Sequence, residues 1–260
     1  MIIDNMENHF DKVTLLVTHY NRSQSLERLL EHFQKMKTSF SDIVVSDDGS
    51  KKEHLDYIKE LENKFDFTLV TAPENKGLGN NINKGQDAVK TDYTLYVQED
   101  FIPLESFDEH FKNGYQLMEE DDSIDITRFY AYEKYPVLKN VKDGFSEMVF
   151  KFWSLDSHRI TKYSDHPHLR RKTFLEKFGR YSEMKNPEKT EYDMMISFLK
   201  RKGKAYIFKD IKSIFRQINS AVEPSTMERN YWRNNENILV SMARRVYRHL
   251  KFNYMFISKK

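Results

Sequence analysis

Two adjacent carboxylates, Glu99 and Asp100, end the uncharged aromatic and β-branched run 93–97, with Gln98 before them and Pro103 just beyond. Paired acids repel each other and resist burial, so a strand that ends in them calls for a cation. Hard dications such as Mg²⁺ and Mn²⁺ take oxygen ligands, and Mg²⁺ commonly combines one or two carboxylates with substrate phosphates. The pair therefore suits an ion shared with a diphosphate better than one caged by protein alone. A solvated acid pair at a loop start is the plain alternative.

A second acid pair, Asp47 and Asp48, lies in "SDDGS" (46–50). Asx-turn chemistry accounts for these residue types without any ligand, whereas a functional carboxylate here would accept hydrogen bonds from a nucleoside base or ribose. "NKGLGNNINKG" (75–85) sets glycines and amides before a helix start, where free N–H groups favour anions. It has neither the G-x-G-x-x-G nor the G-x-x-x-x-G-K-[ST] pattern, which disfavours dinucleotide and P-loop binding. Further on, "TEYDMMISFLKRKG" (190–203) opens a helix with Glu191 and Asp193. Either is a candidate base, or an acid answering the helix dipole. In "SDHPH" (164–168), His166 and His168 can join Asp165 on a metal, shape an acceptor pocket or be plain loop histidines. Trp153 can stack on a sugar or fill a core.

These residues need elements to position them. "VTLLVTHY" (13–20), "DIVVSDDGS" (42–50) and "FTLVTAP" (67–73) read as strands, alternating with helices over 23–36 and 52–65. Leu26, Leu29, Leu30 and Phe33 share one face of the first helix, with Ser23 or Ser25 as its expected cap. A glycine-rich loop runs into a third helix over 74–89, and the strand at 93–97 follows. Strands alternating with helices predict an α/β fold with a parallel sheet and right-handed crossovers. The polar clusters "THYNR", "SDDGS", "ENKG" and "QEDF" each follow a strand, so they should converge beyond one sheet edge. The second half predicts helices over 106–121, 171–179 and 189–203, the last two stopped by Gly179 and Gly203, and strands over 124–132 and 205–210. The aromatic and His-rich stretch 133–172 shows few periods and is expected to form part of a site.

At 260 residues, 39% hydrophobic and 32% charged, the chain is long enough for a substantial core. A formal charge of +2 gives no general polyanion signal, so no nucleic-acid partner is expected. The absence of cysteine excludes disulfides and thiolate metal sites and leans towards a reducing, cytoplasmic compartment. The opening residues do not read as a signal peptide, and no run approaches the roughly 20 apolar residues of a membrane span. Residues 229–260 hold eight Lys or Arg against one acid, Glu236. Ile238, Leu239, Met242 and Val246 fall there at helical spacing, among rings that include Tyr231 and Trp232. This basic amphipathic tail suits either a helix packed on the domain or one lying at the inner face of a membrane.

Taken in order, "VTHYNR", "VVSDDGS", "APENKGLGNNINKG" and "YTLYVQEDFIP" resemble the nucleotide-binding half of the family-two inverting glycosyltransferases. Tyr20, Asn21, Arg22, Asp47, Asp48, Gly49 and Ser50 match that family's x-x-Y-N-R and D-D-G-S elements. Asn75, Gly77, Asn83 and Gly85 keep the spacing of N-x-G-x-x-x-A-x-N-x-G. The likeness is strong over 12–104 and weaker to about 208. It implies a GT-A-type, Rossmann-like, mostly parallel sheet flanked by helices, with a C-terminal helical tail. The implied catalytic domain is 11–218, divided into a nucleotide-binding half, 11–104, and an acceptor-side half, 105–218; a basic helical extension follows at 219–260.

The resemblance assigns a nucleotide-sugar to Thr18, Tyr20, Asn21, Arg22, Asp47, Asp48, Asn75, Gly77, Asn83 and Glu99, and Mn²⁺ or Mg²⁺ to Asp100. Asp47 or Asp48 would face the base and ribose. Trp153, His166 and His168 would lie on the acceptor side. Three positions depart from the pattern. Gln98 stands where the first acid of D-x-D belongs, Asn81 replaces a small residue, and Tyr192 replaces the Asp of T-E-D-x-x-L. Glu191 and Asp193 are therefore equal candidates for the base. The implied reaction is inverting transfer from a nucleotide-sugar, UDP-linked by preference, to a glycan or lipid-linked acceptor in cell-surface polysaccharide or lipopolysaccharide synthesis. Two rivals remain. A sugar-phosphate nucleotidyltransferase would be expected to carry a basic glycine-rich loop after strand one, which "THYNRSQS" lacks. A degenerate fold that binds a nucleotide-sugar or glycan without turnover would accommodate Gln98 and Tyr192.

Overall fold

A computed structural model describes residues 8–219, Glu223 and the helix 238–258, with side chains in that helix from Tyr247 onward. Tyr231, Trp232 and the side chains of Ile238, Leu239, Met242 and Val246 lie outside the described residues, as does much of the proposed 219–260 extension.

The first half is a run of strand–helix units: β1 (Asn8–His19), α1 (Ser23–Lys35), β2 (Thr38–Asp47), α2 (Lys52–Phe65), β3 (Thr68–Val70), α3 (Leu78–Ala88) and β4 (Tyr93–Gln98). Their order in the sheet is β3-β2-β1-β4, all parallel. The apolar runs of β1 and β4 are unbroken because helices cover both faces of the sheet. Val13, Leu15 and Val17 face one layer with Leu29 and Phe33 of α1, while Leu16 and Tyr96 face the other with Ile82 of α3. Strand order reverses between β1 and β4, which opens a crevice at their carboxyl ends. The register there sets His19 beside Asp47 and Thr18 beside Gln98.

Beyond β4 the chain forms β5 (Phe101–Pro103), α4 (Phe107–Glu120), β6 (Ile126–Arg128), β7 (Leu138–Asn140), β8 (Phe145–Met148), β9 (His168–Arg171), α5 (Phe174–Phe178), α6 (Pro187–Lys200), β10 (Ala205–Phe208), β11 (Phe215–Gln217) and α7 (Ile238–Ser258). The sheet continues β4-β9-β6-β10-β8-β7, with β9 antiparallel to both neighbours. The stretch 133–172, without clear period in sequence, thus supplies three short strands, and their brevity explains the weak signal. β5 and β11 form a separate antiparallel ribbon across the end of β4.

Two local expectations are corrected. Neither Ser23 nor Ser25 caps α1: the N-cap position is Arg22, without a side-chain cap bond. Instead the Glu223 carboxylate, from far along the chain, accepts from the Gln24 and Ser25 N–H groups (3.0 and 2.8 Å). An acid suits a helix N-terminus wherever in sequence it comes from. The left-handed turn that ends α6 is made by Lys202 (φ +56°), while Gly203 provides room for the Phe198 ring.

The tail helix packs on the domain over 247–258. Phe252, 1% exposed, joins Ile196 and Leu199 of α6, with Phe150, Phe152 and Phe256 around it. Replacing a buried Phe by Ala commonly costs about 3–5 kcal/mol. Phe252→Ala is therefore expected to abolish amide-exchange protection along 247–258 while that of β1 and β4 persists.

Candidate functional site

The candidate site grows from the carboxyl ends of β1, β2 and β4. Arg22 turns back from the start of α1, and its Nη1 lies 3.5 Å from Glu99 and 3.2 Å from Asp100. Its Nη2 donates to the Glu223 carbonyl at 3.2 Å and to the Asn219 side chain at 3.4 Å. Gln217 donates to Asp100 Oδ2 at 2.8 Å, and the Tyr132 hydroxyl donates to Gln217 Oε1 at 2.7 Å. Asp100 Oδ1 is buried and has no hydrogen-bond partner among the described residues. An orphaned carboxylate oxygen is costly unless a cation completes it. Among the described residues no three His, Cys, Asp or Glu are grouped to hold an ion unaided. The residues present therefore fit a dication whose remaining ligands come from a bound diphosphate or water.

On the nucleotide side, Thr18 bonds the Tyr96 hydroxyl (3.0 Å), and its carbonyl accepts from Glu99 N–H. Asn21, at φ +54°, accepts from Lys51 N–H (2.8 Å) and donates its own N–H to Ser50 Oγ, tying the β1 loop to the "DDGS" turn. Tyr20 is half-buried beside it. Asp47 is fully buried and bonded to His19 Nδ1 (2.8 Å) and to the Ser50 N–H and hydroxyl. Burial pushes Asp47 up, yet these hydrogen bonds together outweigh it and leave the carboxyl below its ordinary range. Asp48 accepts from Lys76 N–H (3.0 Å) and Gly77 N–H (2.9 Å), holding the glycine loop against the turn, and burial raises it. Gly77 sits at φ +93°, where a Cβ would stand 2.2 Å from the Met184 carbonyl. Asn75 is half-buried in the same loop. Lys84, which the sequence did not single out, bonds the Asp47 and Val70 carbonyls, and burial lowers it to about 8.

The acceptor-side acids separate. Glu191 and Asp193 are two residues apart on α6 and so point to different faces. Glu191 turns towards the sheet edge, where it accepts from Asp165 N–H (3.3 Å) and shares a side-chain hydrogen bond with Asp165. Gln98 donates to Asp165 Oδ2 at 3.1 Å. Burial, then the neighbouring Asp165 charge, pushes Glu191 well above the ordinary carboxyl range, and the buried Arg128 opposes this. Asp193 instead accepts from Ser182 and Lys189, both at 3.1 Å.

The structure thus gathers Thr18, Arg22, Glu99 and Asp100 with Glu191, through Gln98 and Asp165. It does not bring Asn83, His168 or Trp153 into that group. Asn83 is buried and clamps α3 to the Tyr181 backbone and Glu183. His168 is a fully buried strand residue between Tyr96 and Tyr163. His166 is half-buried among Tyr130, Tyr132 and Phe101, and burial lowers it to about 3. Trp153 is 88% exposed. Sequence reading passed over Arg128, Gln217 and Glu223. Only Arg128 carried a signal, a charge inside the apolar strand "IDITRFY".

Burial and Asp100 push Glu99 from 4.5 up to about 8, with Arg22 opposing. A carboxyl raised on folding binds its proton more tightly in the native state, so its contribution is lost as pH rises through about 8. The buried His19, His166 and His168, all lowered, are neutral folded and largely neutral unfolded above about pH 7. From about pH 7 to 8.5 Glu99 alone should cost the ligand-free protein about 1 kcal/mol, which Lys84, lowered to about 8, offsets in part. Urea melts at both pH values are expected to show that loss reduced in Glu99→Gln.

Residues 14–182 match the sequence profile of Glycosyl transferase family 2. Poly-β-1,6-N-acetyl-D-glucosamine synthase of Staphylococcus aureus (strain COL) is 28% identical over 95 residues, 36% of this chain and 23% of that protein. Cholesterol galactosyltransferase of Borreliella burgdorferi is 23% identical over 124 residues, 48% of this chain and 34% of that protein. The chain therefore spans about a third or less of these curated relatives. Among solved structures, S. aureus TarS 1-349 in complex with UDP-GlcNAc is similar with a TM-score of 0.59 at 16% identity, over 95% of this chain and 76% of that one. The mannosyltransferase PcManGT from Pyrobaculum calidifontis, in complex with GDP-Man and Mn²⁺, gives 0.51 at 15%, over 77% and 55%. At such identities the structural likeness speaks for the fold alone, which is of the GT-A type. Together with the profile match over most of its length, this shows that the chain belongs to glycosyl transferase family 2.

Proposed function

We propose that the protein transfers a sugar from a UDP-linked donor to a glycan or glycolipid acceptor, with inversion and with the help of a dication at Asp100. The observation that carries this reading is the orphaned Oδ1 of Asp100 at the end of β4, on the same sheet edge as the raised carboxyl of Glu191. UDP-GlcNAc bound to TarS, and Mn²⁺ bound to PcManGT, lend support from two proteins of the same fold.

In this reading Glu191, in its ionised form, is the base. It takes the proton from an acceptor hydroxyl as that oxygen bonds to the anomeric carbon, and the bond from that carbon to the diphosphate breaks on the opposite side. Burial and the neighbouring Asp165 raise this carboxyl, which makes it a stronger proton acceptor once ionised than an exposed glutamate. Arg22 holds Glu99 and Asp100 in place and supplies fixed positive charge near the leaving diphosphate. The bound dication would screen charge that develops on that diphosphate. Gln98 is committed to Asp165, so it aligns the acceptor-side acids and leaves the ion to Asp100, with Glu99 beside it. The reading prefers Glu191 to Asp193 because Glu191 contacts Asp165, which Gln98 ties to the end of β4, whereas the Asp193 carboxylate accepts from Ser182 and Lys189.

Release of UDP from UDP-sugars, with Mn²⁺ and a glycan acceptor, tests the assignment. Asp100→Asn and Glu191→Gln are each expected to lower kcat by about 10²–10⁴-fold with the fold retained, and Asp193→Asn by only a few-fold. Undiminished turnover in Asp100→Asn would refute the metal role. The opposite ranking of Glu191 and Asp193 would move the base to Asp193. Donor binding without any turnover would indicate a binding protein.

A further inference from the structure

We propose that the loop 151–155 and the outward face of α7 form a docking surface for an anionic lipid bilayer, placing one end of a cleft beside Tyr132 at the membrane. Helix α7 is apolar on two sides. Phe252, Met255 and Phe256 face the domain, whereas Tyr247, Leu250, Tyr254 and Ile257, spaced i, i+3, i+7 and i+10, are 64–75% exposed. Trp153 and Leu155 in the loop are each 88% exposed. Phe152 supports the Trp153 ring edge-on at 4.8 Å, and the Leu155 carbonyl bonds His249 at 2.8 Å, one residue from Leu250. Loop tip and helix are therefore tied together. Exposed Trp, Tyr and aliphatic side chains over a cationic helix suit the headgroup boundary.

Charge selects the occupant. Residues 238–258 carry Arg244, Arg245, Arg248 and Lys251 and no acid, while Lys151 and Asp156 offset each other in the loop. A second copy meeting this one through the same face would set cation against cation. Anionic headgroups instead complement the cations while their acyl chains take the apolar stripe. Among the described residues no helix is long and apolar enough to cross a membrane, so α7 would lie along the surface.

A cleft of about 860 Å³ is lined by Tyr132, Lys134, Leu155 and His158, with Glu133 and Asp156 among its acids. Leu155 belongs to both cleft and docking surface, and Tyr132 reaches Asp100 through Gln217. A membrane at the loop would thus present a lipid-linked acceptor along the cleft towards the carboxylates. The acceptor's path along the cleft rests on the glycosyl-transfer reading, whereas the docking surface does not.

Co-sedimentation of the full chain with phosphatidylcholine vesicles, with and without phosphatidylglycerol, tests the surface. Binding is expected only with phosphatidylglycerol, with about tenfold or greater loss in Leu250→Ser/Ile257→Ser and again in Arg248→Glu, at unchanged melting temperature. UDP-sugar binding without vesicles should be the same in all these variants, so failure of the donor reading and failure of the surface register separately. Equal binding to neutral vesicles, or undiminished binding by the variants, would overturn the proposal. So would a concentration-dependent dimer in sedimentation velocity that the double variant abolishes, because a second copy would then occupy the face.

Discussion

Glu99, Asp100, Asp165 and Glu191 are held close together at the carboxyl ends of the strands, with Arg22 and Arg128 as the fixed counter-charges. That imbalance governs the local architecture. Removing several carboxylates from water raises their affinity for protons, and here they have too few cations to offset it. Glu99, Asp165 and Glu191 all shift upwards, burial being the largest cause in each. Such an edge is tolerable because protons can be retained. The stability lost in keeping it is the usual accompaniment of a preorganised site.

The scaffold resists this repulsion by fixing the site from several directions. Parallel pairing of β1 with β2 and β4 sets His19 beside Asp47 and Thr18 beside Gln98. The Asp47–His19 bond and the Asp48 contacts with the Lys76 and Gly77 amides lock three loops to one another. With these protein donors the two acids hold the turn and the glycine loop in shape. Behind them, aromatic rings fill both sides of the sheet. Arg170 lies over Tyr96, Phe174 and Tyr181 while bonding Gln86, so even a buried cation is compensated there. The high aromatic content is thus mainly core, with Trp153 a clear exception.

Much of the first half was legible in the sequence. β1, α1, β2 and α2 carry long, strongly periodic apolar patterns, and the clusters that follow the strands do meet at one edge. The second half was legible only in part, because three-residue strands such as β6, β7 and β11 are too short to show a period. Long-range partners were invisible for a different reason. Nothing local marks Gln217 as a neighbour of Asp100, or Glu223 as the acid at the start of α1. Glu191 and Asp193 looked equivalent because sequence proximity hides the turn of a helix, which sends them to different environments. His166 and His168 looked alike as well, but His168 enters β9 and is packed between Tyr96 and Tyr163, whereas His166 lies in the loop before the strand and is left half-open.

The Tyr132–Gln217–Asp100 relay has one further implication. A carboxamide is two-ended, with an oxygen and an NH₂ of nearly the same shape. Were a positive ion to arrive at Asp100, the Gln217 amide could rotate by half a turn, giving its oxygen to the newcomer and its hydrogen to the Tyr132 phenol. The Tyr132 link would then persist with its polarity reversed, while the direct bond to Asp100 would be given up to the ion, an exchange that neither a carboxylate nor an ammonium group at position 217 could perform.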